Sequence, residues 1–231
     1  MSNSSAPCSY ASVYLQDNAS KRARFRQNVQ KIAKRAFDFG GSLTILLCIC
    51  PLFLAVVLLM GLCHGWPVFY QHKRVGRAGR EFGCLKFRTM VKNGDAVLNA
   101  HLDKNSDARA EWLESRKLKQ DPRVTSIGRV LRKSSIDELP QLINVLRGEM
   151  SLVGPRPIVS DEVVYYADAI DYYLSVKPGM TGPWQIAGRN DVSYEKRVQM
   201  DRDYVITASF WRDFVILLQT VPAVVASRGS Y

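Results

Sequence analysis

Between Phe39 and Cys63 the chain runs without a single charge (FGGSLTILLCICPLFLAVVLLMGLC), and about 20 such residues are enough for a helix to cross a bilayer. The run follows 38 other residues and is too long for the apolar part of a signal peptide, so a cleaved leader is a poor reading. Its flanks are the puzzle. Lys21–Arg35 (KRARFRQNVQKIAKR) carries seven Lys/Arg and no acid, and Lys73–Lys92 carries seven against the single Glu81. A simple crossing has its basic excess on the cytoplasmic side only. Pro51, in the middle of the run, removes a helical hydrogen bond and favours a kink. Two topologies stay open: a single span, or a segment that enters one leaflet, bends at Cys50–Pro51 and returns to the same face. Asp38 is expected at the interface, because an unpaired charge at depth is expensive.

The 231 residues suffice for one ordinary domain, or for one domain plus an appendage. The expected division is a mobile basic tail over 1–30, a membrane helix over 31–66 and a cytosolic domain over 67–231. A net charge of +11 calls for an anionic partner: nucleic acid, a phospholipid surface or phosphorylated small molecules. Five cysteines, three of them in or at the end of the apolar run, suggest neither a disulfide framework nor a zinc site.

Beyond the apolar run, PVFYQHKRVGRAGREFGCLKFRTM (67–90) contains two β-prone stretches around GRAG, the pattern of a hairpin. Asp95–Ser115 reads as surface helix. In SSIDELPQLINVL (134–146), Ile136, Leu139, Leu142, Ile143 and Leu146 recur at helical steps. Ser135 and Glu138 fit a capping box, Pro140 is early enough to be tolerated, and Gly148 supplies a stop. Asp137, Gln141 and Asn144 fall on one polar stripe. A carboxylate at a helix N-terminus is stabilised as the anion, which suits it to hold a divalent cation or attack phosphorus. The competing reading makes Asp137 and Glu138 plain caps, with Arg129, Arg132 and Lys133 as their ion-pair partners.

Arg156 stands between two prolines in SLVGPRP (151–157), a stiff mount for a phosphate clamp. KPGMTGPWQIAGRN (177–190) offers Lys177, Trp184, Gln185 and Arg189, a mix suited to the ring, amide edge and phosphates of a nucleotide. Neither a Walker A run nor a dinucleotide fingerprint is present. The apolar C-terminal stretch is interrupted by Arg212 and Asp213 and fits an interfacial or core helix.

Together KRAFDFGGSLTILLCICPLFLAVVLL, the hairpin segment, SSIDELPQLINVLRGEMSLVGPRP and KPGMTGPWQIAGRN resemble the bacterial sugar transferase family, the monotopic phosphoglycosyl transferases, and in particular its short exopolysaccharide-type members. The resemblance covers about Lys34 to Ser227. It implies an α+β, mainly helical monotopic protein with a re-entrant N-terminal helix kinked at Pro51, a β-hairpin and interfacial amphipathic helices. It also implies transfer of a sugar 1-phosphate, galactose or glucose, from a UDP-sugar to undecaprenyl phosphate with release of UMP. The nucleophile would be Asp137, forming an aspartyl phosphosugar, and Glu138 the Mg²⁺ ligand. Lys86, Arg88, Arg132, Arg156, Gln185 and Arg189 would bind substrate. The implied location is the cytoplasmic face of the bacterial inner membrane beside anionic lipid, with no nucleic-acid partner and with monomer and homodimer both open. Well-known family members break the re-entrant helix at Ser-Pro, where this chain has Cys50-Pro51. A membrane-anchored non-catalytic scaffold or anionic-polymer binding protein is the contrasting reading.

Overall fold

The computed structural model describes residues 10–115, 118, 120–188 and 192–225, with backbone alone for 10–28, 114–115 and 224–225. A single helix, α1 (Tyr10–His64), takes in the whole apolar run and stays helical through Pro51. Residues 10–30, assigned above to a basic tail, continue this helix; residues 1–9 lie outside the described residues. Its part from Val29 to His64 is long and apolar enough to cross a membrane.

One stripe of α1, through Asp38, Ser42, Leu46, Ile49, Phe53, Val56 and Met60, packs on the rest of the protein, while Leu47, Leu54, Leu58 and Leu62 on other faces are exposed. Both ends of the apolar run are fastened to the same body. Arg35 donates to Val145 O (2.6 Å) and Leu146 O (2.7 Å), and Arg88 donates to His64 O (2.7 Å) and Gly65 O (2.6 Å).

Asp38, expected at the membrane interface from its place at the head of the run, is only 2% exposed, covered by the protein itself. Its charge is paired there: Oδ1 accepts from Lys34 Nζ (3.3 Å), Ser151 Oγ (3.0 Å) and the Leu152 amide (3.1 Å). Lys34 also contacts Asp213 (2.7 Å), whose other oxygen accepts the Tyr204 hydroxyl (2.7 Å). Partners of this kind remove the penalty that argued against burial.

Strands β1 (Phe69–Val75) and β2 (Glu81–Phe87) form the expected antiparallel hairpin, with Phe69 opposite Phe87 and Val75 opposite Glu81. GRAG makes the turn, with Ala78 and Gly79 at positive φ. Phe69 and Phe87 stack 5.4 Å apart beneath Phe53 of α1. Helices α2 (Gly94–Lys104), α3 (Ser106–Ser115) and α4 (Ser126–Lys133) follow, the last capped by the Thr125 hydroxyl, which accepts from the Gly128 amide.

The long helix expected from Ile136 is instead a 3-10 turn, Ile136–Glu138, followed by α5 (Gln141–Arg147). Pro140 has no amide to donate, so the α-helical ladder begins after it. The expected capping box is absent: Ser135 adopts φ 58° and its side chain caps nothing. Asn144, fully buried, is less a member of a polar stripe than a peg under the hairpin. It accepts from the Leu85 amide (2.9 Å) and donates to Gly83 O (2.8 Å) and Glu149 (2.7 Å).

Short parallel strands β3 (Ser151–Val153) and β4 (Gly179–Thr181) lie side by side. Gly154 and Gly179 make that possible: a Cβ on Gly179 would sit 2.1 Å from Gly154 N, and one on Gly154 would sit 2.7 Å from Lys177 O. The PRP loop and the GPWQ segment are thereby brought together. A 3-10 stretch (Ser160–Ala169) leads into α6 (Ile170–Ser175), and α7 (Pro183–Ala187), α8 (Tyr194–Thr207) and α9 (Phe210–Val225) complete the described chain. On α9, Phe210, Trp211, Leu218 and Val221 are exposed, whereas Ile216 joins the core of Leu142, Val145, Met150, Leu152 and Tyr204.

Candidate active site

A cleft lies between the hairpin, the 3-10 turn, the PRP loop and α7, lined by Arg74, Cys84, Lys86, Glu138, Gln141, Arg156, Pro157, Met180 and Gln185. Strand alternation puts Arg74, Cys84 and Lys86 on one face of the hairpin. Glu138 is held between two cations: Oε1 is 2.7 Å from Lys86 Nζ and 3.4 Å from Arg156 Nη2. The adjacent Asp137 is 8% exposed, and its carboxylate has no hydrogen-bond partner among the described residues.

The helix dipole does not govern Asp137, contrary to the expectation from sequence. Burial pushes its pKa up to about 6, and the neighbouring Glu138 adds to the rise; Lys86, Arg132 and Arg156 oppose both. A carboxylate at that value is still mainly anionic at neutral pH, but it is a desolvated and poorly satisfied anion. Such groups concentrate where chemistry is done.

Five of the sequence-predicted residues therefore converge on the cleft or face Asp137: Lys86, Glu138, Arg156 and Gln185 line it, and Arg132 acts electrostatically on Asp137 while its Nε donates to Thr89 Oγ1 (2.8 Å). Arg88 is elsewhere, closing the C-terminal carbonyls of α1. Arg189 lies outside the described residues. Trp184 offers no open face for a nucleotide ring, being 6% exposed. Gln185 Nε2 donates to Met180 O (3.1 Å), while its Oε1 is buried without a partner and would accept a hydrogen bond.

Arg74 was missed. It donates to Pro157 O (3.1 Å), tying hairpin to PRP loop, and burial together with Arg156 lowers its pKa. It shares strand parity with Lys86, and that parity was the available signal. For a hard cation the site offers two carboxylates, and no group of three or more His, Cys, Asp or Glu that could hold a metal occurs among the described residues. One or two carboxylates, completed by substrate phosphate and water, is the arrangement Mg²⁺ commonly takes, so the donor set fits it.

A family model described as bacterial sugar transferase matches residues 29–227. The chain belongs to the bacterial sugar transferase family. This sugar transferase is 54% identical over 200 residues to the exopolysaccharide production protein ExoY of Rhizobium meliloti (strain 1021), covering 87% of this chain and 88% of that one. It is 49% identical over 217 residues to the undecaprenyl-phosphate galactose phosphotransferase of Salmonella typhimurium, covering 94% of this chain and 44% of that longer protein. Identity is 36% over 208 residues to the UDP-glucose:undecaprenyl-phosphate glucose-1-phosphate transferase of Caulobacter vibrioides, covering 87% and 72%.

Proposed function

We propose that this sugar transferase moves a sugar 1-phosphate from a UDP-sugar to undecaprenyl phosphate, releasing UMP, as the first step of an exopolysaccharide repeat unit. The observation that carries the reading is the buried Asp137 next to Glu138, which lines a cleft and is clamped there by Lys86 and Arg156, with Arg74 as a third cation in the same wall. Relatives bearing galactose and glucose names support both sugars as candidates.

In this mechanism an Asp137 oxygen attacks the sugar-bearing phosphorus of the donor. The phosphoanhydride bond breaks, and UMP leaves with its electron pair. An oxygen of undecaprenyl phosphate then attacks the same phosphorus, yielding the lipid diphosphosugar and restoring the Asp137 carboxylate. Lys86, Arg74 and Arg156 hold the charge of the diphosphate, and electrostatic positioning of this kind supplies most of the catalysis in phosphoryl transfer. Glu138, with Asp137 beside it, would hold Mg²⁺, which supplies neutralisation of the diphosphate and of the departing UMP.

The same reading places the protein on the cytoplasmic face of the inner membrane, with α1 as a re-entrant anchor bent at Pro51. Arg35 and Gly65, near the two ends of the apolar segment, both bond to one folded body, which supports a common side for both flanks. The exposed apolar side chains of α9 support its lying in the interface, and the basic flanks then face anionic lipid.

The test is UMP release by protein in nanodiscs supplied with undecaprenyl phosphate, Mg²⁺ and either UDP-galactose or UDP-glucose. Wild type releases UMP, and the productive donor identifies the sugar. Asp137→Asn and Glu138→Gln lose at least about a thousandfold. UMP release that survives Asp137→Asn would remove the nucleophile assignment, and binding of UDP-sugars without any UMP would favour a scaffold.

A further inference from the structure

Arg156 faces the cleft with more than a third of its side chain exposed, and its contact with Glu138 is a long 3.4 Å. What sets its direction is found behind it. Its guanidinium carbon lies 5.8 Å from the centroid of Trp184, and the same ring carries Arg197 at 4.7 Å. Arg197 is itself tied back, Nε donating to Val192 O at 2.9 Å.

Trp184 follows Pro183 at the start of α7 and is nearly buried. Against it lies Asp201 of α8, 1% exposed, whose Oδ2 accepts the hydroxyl of buried Tyr166 at 2.8 Å. Asp201 Oδ1 and Trp184 Nε1 are both buried and face each other without reaching ordinary hydrogen-bond geometry. A continuous line of side chains thus runs from core to cleft: Tyr166, Asp201, Trp184, Arg156, Glu138. Filling the core alone does not call for this arrangement, in which a fully buried carboxylate and a half-buried guanidinium, Asp201 and Arg197, both meet one ring that Arg156 also meets from the cleft side.

We propose that Trp184 is a positioning residue, whose ring face holds the Arg156 guanidinium toward the donor diphosphate while Asp201 holds the ring. The proposal rests on the reading of the cleft as the phosphosugar donor site. A planar guanidinium on an aromatic face is directed in a way that an ammonium is not, so the device is specific to arginine.

The test is a double-mutant cycle between Trp184→Met and Arg156→Lys, read as the affinity for UDP in Mg²⁺ buffer by calorimetry on protein in nanodiscs. UMP release and thermal midpoints are followed alongside. Trp184→Met, which keeps bulk and loses the ring, weakens UDP binding about tenfold in the wild-type background and by about twofold or less in the Arg156→Lys background. Trp184→Phe, which keeps a ring face, stays within about threefold of wild type. Should Trp184→Met not fold, Asp201→Asn carries the same cycle, with about a threefold loss that disappears beside Arg156→Lys. Equal losses in both backgrounds overturn the proposal, as does a Trp184→Phe protein as impaired as Trp184→Met. A wild type that binds UDP and releases no UMP overturns the donor-site chemistry instead and leaves the cycle readable; one that binds no UDP removes both.

Discussion

Lys86 Nζ lies 2.7 Å from Glu138 Oε1, so the carboxylate assigned to the metal is already engaged by a cation. Lys86 therefore competes with Mg²⁺ for Glu138 even as it helps hold the donor. Lys86→Met is expected to lower kcat/KM by about 100-fold while lowering the Mg²⁺ concentration needed for half-maximal rate. Titration of UMP release against Mg²⁺ checks both; a mutant that needs more Mg²⁺ than wild type would show that Lys86 assists the metal.

Asp137 illustrates a conflict between stability and chemistry. Its folded-state pKa of about 6 lies above the ordinary aspartate value of 3.8, so between those values the folded state binds more protons than the unfolded state. Stability from this group is therefore greatest below about pH 4 and falls as pH rises through 6. Asp137→Asn removes the cost of the buried anion. In chelator-containing buffer the mutant is expected to unfold at higher temperature than wild type at pH 8, by an amount corresponding to at most about 3 kcal/mol. The advantage shrinks at pH 5, where wild-type Asp137 is largely protonated. Thermal unfolding at the two pH values decides it, and a mutant less stable than wild type at pH 8 contradicts the assignment.

The close approach of Gly154 and Gly179 is what places Arg156 next to Trp184 and Gln185. Gly179→Ala puts a methyl group 2.1 Å from Gly154 N, too near for either backbone to accommodate without parting the strands. It is expected to destabilise by about 3 kcal/mol or more and to abolish UDP binding. Gly40→Ala, on α1 with no atom within 4 Å of the added Cβ, is the matched control and leaves stability unchanged or slightly raised. Paired unfolding curves test the contrast.

Local patterns gave away the hairpin, the apolar helix and the PRP loop, because each is written in neighbouring residues: alternation around GRAG, an uncharged run, two prolines around an arginine. The acidic pair was visible too, but not its environment. Whether Asp137 is a solvated cap or a desolvated anion depends on Lys86 and Arg156, which are 51 residues before and 19 after it in the chain. Periodicity joined Ile136 to Leu146 as one helix because it carries no information about the missing Pro140 amide's effect on where the ladder starts. The burial of Asp38 was hidden for a related reason: Lys34 is a near neighbour in sequence, but its other two partners, Ser151 and Leu152, come from a strand more than 100 residues away, and no local pattern announces them. Arg88, read as a substrate ligand from its place in KFRTM, turned out to close α1 at carbonyls that hydropathy alone could not mark as an end.

That closure bears on topology. Ile32 is 70% exposed before the apolar segment and Tyr70 is 53% exposed after it, and Arg35 and Gly65, close to them in the chain, both bond to the same folded body. A straight helix from Val29 to His64 would extend about 54 Å, more than the roughly 30 Å hydrocarbon thickness of a bilayer. Sending one end across would drag polar groups of the same body through lipid, at several kcal/mol for each left unsatisfied. Both positions are therefore expected on one side. In a background lacking the native cysteines, Ile32→Cys and Tyr70→Cys are both expected to react with a membrane-impermeant maleimide in inverted inner-membrane vesicles, and neither in intact spheroplasts. Labelling of one position in vesicles and the other in spheroplasts would establish a single crossing and rule out re-entry.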